Sequence, residues 1–506
     1  MMNRRNFLQA NLALAATTIP GSLKSATTAE HLDVRVNARS VTGALPHVWE
    51  ECAGSDRAVI TLREAWREDL DRWHKEAGLK RVRFHGIFND ELGVYAPSIL
   101  TRGKAEINFQ NVFQVYDGLK DRGVSPYVEL SFMPKKLASG PQTFAGYNGN
   151  ITPPTSSDEW AAFVAVFVKS LINRYGLKEV RTWPFEVWNE PNLPFFWTGN
   201  QQQYFDMYKA TAVALKQIDP GIMVGGPATS ATAWIGDFVT YCADNHAPVD
   251  FFSTHIYAGD KQAPIFGPGA HLSQNQVIPE AMARVRQKIN ASVFAGKPLW
   301  LSEWSSDSPA MIAHIITHCL PSVQGMSQWT LSGVYEELGV PNYVLKEGDM
   351  GWSTLVRGIA RPSFNTYKLL HALGDQRLEA QGPALASRRH DGSLAILVWN
   401  LAEVPQAAGI PGATSTRTVI GQPRTLDVHI AGVRPGQRAQ IRYVDQERGS
   451  PMPAWRQMGS PQYPTQTQLG QLRKASEIPP SSQARMGPDG LLRIELPPEG
   501  VALIEI

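Results

Sequence analysis

Three cysteines in 506 residues, Cys52, Cys242 and Cys319, are too few for a disulfide framework, and an odd number cannot pair completely. They read as free, buried thiols. No C-x-x-C is present, which disfavours thiol redox chemistry and a cysteine-rich zinc site. His314 and His318 stand four apart on a helical pattern, yet the glutamate of H-E-x-x-H is missing, so a zinc-peptidase helix is not supported. No G-x-G-x-x-G follows the first strand-like run, which argues against a dinucleotide-binding sheet. The apolar run from Leu12 to Ile19 is too short to span a bilayer as a helix. Charge of one sign is also lacking. With 48 Lys and Arg against 46 Asp and Glu, the net charge of +2 marks neither a nucleic-acid partner nor membrane insertion.

What remains is an ordinary globular composition, 43% hydrophobic and 19% charged, in a chain long enough for a large barrel plus an accessory domain. Fourteen Trp and fourteen Tyr supply core mass, and they also offer apolar faces on which sugar rings stack. Arg4-Arg5 before a short apolar segment resembles a twin-arginine export signal, so residues 1–29 are expected to direct the protein to the periplasm.

From 45 to 370 apolar runs alternate with amphipathic segments. The runs are Pro46–Glu50, Leu79–His85, Pro126–Phe132, Thr182–Glu190, Ile222–Gly226, Phe251–His255, Pro298–Glu303 and Val323–Leu331. Segments such as Thr61–Ala77, Trp160–Tyr175 and Tyr204–Ile218 repeat at helical spacing. Eight strand–helix repeats predict a closed (β/α)8 TIM barrel of the α/β class. From 371 to 506 short alternating strands predict an accessory β-sandwich domain, joined by an N-terminal strand within 30–44. Ser450–Gln483, rich in Pro, Gln and Ser, reads as a long surface loop.

A parallel barrel gathers its reactive groups at the C-terminal ends of its strands. Those ends are expected to carry Glu50 or Glu51, His85, Phe132, Asn189-Glu190, His255 with Tyr257, Glu303 and Trp329. Two carboxyl groups flanking one bond are what glycoside hydrolysis requires: one protonates the leaving oxygen, the other attacks carbon or activates water. Burial is expected to keep Glu190 protonated near neutral pH, and Tyr257 or His255 to donate a hydrogen bond to Glu303. Glu129, inside the third run, reads as structural.

The segments His47–Ser55, Val82–Ile87, Glu186–Leu193, Ser253–Tyr257, Ser302–Ser305, Trp329-Thr330 with Tyr335-Glu336-Glu337, and Gly358–Phe364 together resemble glycoside hydrolase family 39, the β-xylosidases and α-L-iduronidases. The resemblance implies Glu190 as acid/base and Glu303 as nucleophile of a retaining mechanism. It also implies His85, Asn189, His255, Tyr257 and Glu336 or Glu337 as sugar-binding groups, and Phe132, Phe196 and Trp329 as aromatic walls. Two positions depart from the family pattern. Ser305–Pro309 lacks the aromatic that often follows the nucleophile, and Gly333 stands where an acidic residue is common. No Lys or Arg lies between Gln328 and Val344 to meet a uronate carboxylate, which ranks iduronic acid low.

The function expected is release of terminal β-D-xylose from xylo-oligosaccharides or related pentose glycans, with no metal and no organic cofactor. Two other readings stand beside it: an exo-enzyme acting on α-L-arabinofuranose or arabinopyranose, and a non-catalytic carbohydrate-binding barrel.

Overall fold

The computed structural model describes residues 30–403 and 419–506; the expected export segment, 1–29, lies outside the described residues. Eight parallel strands close into a barrel in chain order: Cys52–Arg57, Arg81–His85, Ser125–Leu130, Pro184–Val187, Met223–Thr229, Phe251–His255, Leu299–Trp304 and Gly325–Gln328. The last pairs with the first through Ser327 and Cys52. Helices such as Glu64–Ala77, Ser157–Tyr175 and Gln201–Ile218 cover the outside, with Trp66, Leu70, Trp73, Trp160 and Tyr204 buried against it. No helix among the described residues is long and apolar enough to cross a membrane.

The barrel interior is filled rather than open, as its geometry requires. Cys52, Tyr127, Phe251 and Trp300 form one packed group inside it. In register, Arg83 lies opposite Tyr127, and Glu129 opposite Glu186.

One expected strand is misplaced. Pro46–Glu50 is a turn, closed by bonds from Val48 N–H to the Pro46 carbonyl and from Glu50 N–H to the His47 carbonyl. The first barrel strand begins at Cys52. Its sequence, Cys-Ala-Gly-Ser-Asp-Arg, carries no bulky apolar residue, because Gly54 lies against the indole of Trp329: a Cβ there would sit 2.6 Å from the ring. Glu50 and Glu51 therefore stand at the N-terminal end of the barrel, away from the functional face. Glu51 pairs with Lys80 and Arg81.

The second domain is a single nine-stranded mixed sheet. Glu30–Ala44 lies third from one edge, antiparallel to Gln376–Gln381 and parallel to Arg424–Ala431. The sheet folds over so that residues from both ends share one core. Val34 and Val36 pack there with Ile441 from one arm and Ile494 from the other. The sandwich is thus one nearly closed sheet rather than two separate ones.

Ser450–Gln483 is also not a loop. It contains the helices Met452–Gln457 and Gln466–Ala475. Thr465 and Gln468 form a reciprocal capping box, and Leu469, Leu472, Met452 and Trp455 bury against Leu345, Val356 and Ile359. The polar Gln and Pro composition masks this narrow apolar face.

Candidate active site

Three buried acidic side chains point at one buried cation. The Arg83 guanidinium donates from Nε to Glu186 Oε2 at 2.7 Å and lies 2.9 Å from Glu129 Oε2. It also donates to Glu303 Oε2 at 3.2 Å and to Asn189 Oδ1 at 2.8 Å. Burial opposes its charge, but Glu186, Glu129 and Glu303 outweigh that and hold its pKa well above the usual value. Tyr127 O–H closes the floor with a 3.1 Å bond to Glu186.

Above this floor sit the groups at the strand ends. Glu303 has both oxygens engaged: Oε2 with Arg83, and Oε1 with Tyr257 O–H at 2.6 Å. Glu190 has no bond to Arg83. Its Oε1 lies 3.0 Å from His255 Nδ1. Burial raises the Glu190 pKa to about 7, against the lowering effects of His85, Ser230 and Arg83. Burial also drives the His255 pKa down to about 4, so the imidazole beside Glu190 is neutral. A Glu190 oxygen, a Glu303 oxygen and a His255 nitrogen all lie within 4.8 Å of one another.

The backbone that presents Glu190 is unusual. Trp188 and Glu190 have φ of 72° and 43°, a region that non-glycine residues seldom occupy. Two anchors hold it: Glu190 N–H on the Ala228 carbonyl, and Trp188 Nε1–H on the Phe196 carbonyl, both 2.9 Å. The strain is localised at the reactive end of the strand, where such conformations tend to cluster.

A cavity of about 400 Å³ opens onto this face. It is lined by His85, Glu190, Tyr257, Glu303, Trp329 and Glu337, with Phe144, Leu193, Phe195, Phe196 and Leu338 as apolar walls and Ser230 and Asp260 at its edge. His85 is fixed by a 2.8 Å contact from Nδ1 to Glu129, whose other oxygen accepts from Ser131 Oγ. Burial opposes protonation of His85, but Glu129 and Glu337 raise its pKa to about 9. Burial raises Glu337 to about 8.

The two neighbouring glutamates divide. Asp56 accepts from the backbone N–H of both Glu336 and Glu337. That grip turns Glu336 outward to ion pairs with Arg57 and Arg63, and Glu337 inward. Glu336 is therefore a loop anchor and does not line the cavity. Phe132 does not line it either: fully buried, it lies behind Phe196, nearly parallel at 6.5 Å, and beside Trp188. The aromatic walls include Phe144 and Phe195 instead, and neither stands at the end of a barrel strand, where the pattern would have marked it. Asn189 and His255 lie one layer deeper. Asn189 Nδ2 and His255 Nε2 are buried without a hydrogen-bond partner, positions that a ligand hydroxyl or water satisfies.

Sequence reading missed Arg83 and Glu186, whereas Glu129 was read as structural, as it is here. All three are charges inside apolar strands, and Arg83 stands two residues before His85 on the same inward face. Burying such a charge requires a partner, so three of them in neighbouring strands imply one another.

A (β/α)8 barrel with two carboxyl groups this close on its C-terminal face defines a glycoside hydrolase of the carboxylate-pair type. Residues 32–487 match the family model "Glycosyl hydrolases family 39", and the chain belongs to that family. It is 34% identical to a β-xylosidase of Geobacillus stearothermophilus, over 90% of this chain and 92% of that one. It is 33% identical to a β-xylosidase of Caldicellulosiruptor saccharolyticus, over 88% and 92%. The crystal structure of a monomeric β-xylosidase from Caulobacter crescentus CB15 superposes with a TM-score of 0.81 at 31% identity, covering 94% of this chain and 99% of that one.

Replacing Arg83 by Met would strand Glu129, Glu186 and Glu303 without their shared cation. The expected cost is about 3–5 kcal/mol of stability, read as a lower thermal or denaturant midpoint. An unchanged midpoint would show that the carboxyl groups are neutralised some other way.

Proposed function

We propose that this protein releases terminal β-D-xylose from xylo-oligosaccharides by double displacement, with Glu190 as acid/base and Glu303 as nucleophile. The observation that carries the reading is the separation of their oxygens, under 4.8 Å. Retaining pairs stand about 5–5.5 Å apart, whereas inverting pairs need ~6.5–9.5 Å to admit a water.

In the first step Glu303 attacks the anomeric carbon as Glu190 gives its proton to the departing oxygen. The bond to the leaving group breaks and a glycosyl ester on Glu303 forms. Tyr257 and Arg83 hold the two Glu303 oxygens in place for attack. In the second step Glu190, now a carboxylate, takes a proton from water, which attacks the same carbon from the leaving-group side as the ester bond breaks and Glu303 leaves as a carboxylate. The configuration is retained. The buried amide of Asn189 and the His85–Glu337 pair are suited to sugar hydroxyls, and Phe196 and Trp329 to the ring faces.

The sugar is read from the walls and from the relatives. No Lys or Arg lines the cavity among the described residues, whereas Glu190, Glu303, Glu337 and Asp260 do. The cationic group in the lining, His85, is already paired with Glu129 and Glu337, so a uronate would meet mainly acids, which favours a neutral pentose. Both bacterial relatives aligned above are named β-xylosidases.

We also propose export by the twin-arginine route, supported by Arg4-Arg5 ahead of Leu12–Ile19. Changing both arginines to lysine should leave the protein in the cytoplasmic fraction; undiminished periplasmic recovery would refute the route.

Hydrolysis of an unactivated xyloside should fall as pH rises through about 7, because the Glu190 proton is then lost. Glu190→Gln should remove that limb and lower turnover by about 10²–10⁴. Glu303→Gln should abolish turnover while sugar binding persists; hydrolysis undiminished in both variants would remove the assignment of these two residues, whereas sugar binding with no hydrolysis by the unaltered protein would leave only a carbohydrate-binding barrel. A panel of aryl glycosides, with the first-formed anomer followed by NMR, should show β-xyloside preferred and β-xylose released first. Faster cleavage of the arabinosides would shift the assignment to that sugar.

A further inference from the structure

Among the described residues, two trios of ligand-type side chains bring one donor atom each within 4.8 Å of the others. One is Glu190, His255 and Glu303, which the reaction already uses. The other is His47, Glu50 and His371, at the opposite end of the barrel. His47 and Glu50 lie in the segment leading from the accessory strand Glu30–Ala44 to the first barrel strand. His371 ends the helix Pro362–His371, after which the chain returns to the accessory sheet at Gln376. The trio thus marks the place where the chain crosses between domains in both directions, and Leu45 N–H donates to the Asp375 carbonyl at 2.6 Å beside it.

Both imidazoles aim Nδ1 at the same oxygen. His47 Nδ1 is 2.6 Å and His371 Nδ1 2.8 Å from Glu50 Oε1. His47 Nε2 lies 3.2 Å from the Gly374 carbonyl. A carbonyl only accepts, so that nitrogen carries a proton, and Nδ1 is left facing the Glu50 carboxylate. A ring nitrogen facing a carboxylate oxygen at this distance needs a positive charge between them, a proton or a metal ion. A remote ring N–H on a backbone carbonyl, with the near nitrogen aimed at a shared centre, is also how metal-bound histidines are oriented.

The surroundings hold this geometry. Trp49 stacks on the His47 ring, with centroids 4.5 Å apart. Gly78, at φ 72°, leaves room that a Cβ would take, since it would stand 2.5 Å from His371 Nδ1 and 2.9 Å from the Glu50 carboxyl carbon. The His371 side chain is 43% exposed, so one side is open to water.

We propose that His47, Glu50 and His371 bind one divalent ion of the zinc class, with water completing a tetrahedral set, and that the ion clamps the two chain crossings between barrel and sheet. Two imidazole nitrogens and a carboxylate oxygen suit this borderline-soft class. With ligand bonds of about 2.0–2.1 Å, a tetrahedral centre spaces its donors by about 3.3 Å. Glu50 Oε1 then has to separate by about 0.7 Å from His47 Nδ1 and by about 0.5 Å from His371 Nδ1, the latter on the side open to water.

The test uses the full chain without a polyhistidine tag, stripped with chelator and titrated with zinc chloride in a calorimeter, with thermal unfolding measured in parallel. One equivalent should bind and raise the unfolding midpoint by a few degrees. His371→Ala and His47→Ala should each weaken binding at least about tenfold, and Glu50→Gln, which preserves shape, should do the same. His318→Ala, which breaks the neighbouring His314–His318 pair, should leave it unchanged. Hydrolysis should be unaffected in all four variants, because the trio lies at the barrel end away from the cavity. Absence of saturable binding, or equal binding in the His47, Glu50 and His371 variants, would overturn the site. Neither result bears on the roles of Glu190 and Glu303.

Discussion

The fully buried charge of Arg83 is the constraint on which the functional face rests. Guanidinium does not deprotonate in proteins, so its five donors are permanent. Glu129, Glu186 and Glu303 converge on it from three other strands, and Asn189 supplies a neutral acceptor. Each carboxylate alone would carry a desolvation cost of several kcal/mol. Gathered on one cation they become a rigid floor, and the strand ends above inherit its geometry. Glu129 in turn fixes His85, which fixes the electrostatics of the cavity wall.

That floor also separates the two carboxyl groups chemically. Glu303 touches Arg83 and Tyr257, both donors. Glu190 stands off the guanidinium beside a neutral imidazole, in a buried position that favours the protonated acid. Two glutamates within 4.8 Å thus take different environments from one scaffold, the asymmetry that the proposed division into acid and nucleophile requires. The loop after the eighth strand repeats the division on a smaller scale, with Glu336 held outside by Arg57 and Arg63 and Glu337 turned in.

Much of this was legible in the sequence, for identifiable reasons. Seven of the eight barrel strands carry apolar runs, and buried parallel strands read that way. Cys52–Arg57 escaped because its core-facing positions are small where Trp329 presses in, so the apolar run just before it, Val48-Trp49, drew the assignment. Glu190 and Glu303 were visible because strand ends are where barrels place chemistry. Arg83 and Glu186 were not singled out, because the need for a charge inside a strand appears only once its partners on other strands are known. The choice between Glu336 and Glu337 depended on Asp56, 280 residues before Glu336, gripping the loop backbone. Phe144 lies in the two-residue strand Thr143–Phe144 and Phe195 in a turn, both outside the barrel strands, where no periodicity marks a sugar-facing ring. The helices within 450–483 were hidden by a polar composition whose few apolar residues bury on one narrow face.

The most direct test of the double-displacement account is covalent trapping. A 2-deoxy-2-fluoro-β-xyloside with a good leaving group slows both steps but hydrolysis of the ester most, so the glycosyl-enzyme accumulates. Intact mass should rise by one fluoroxylosyl unit, and peptide mapping should place it on Glu303. Label on Glu190, or turnover with inversion and no adduct under any condition, would contradict the assignment of nucleophile and acid.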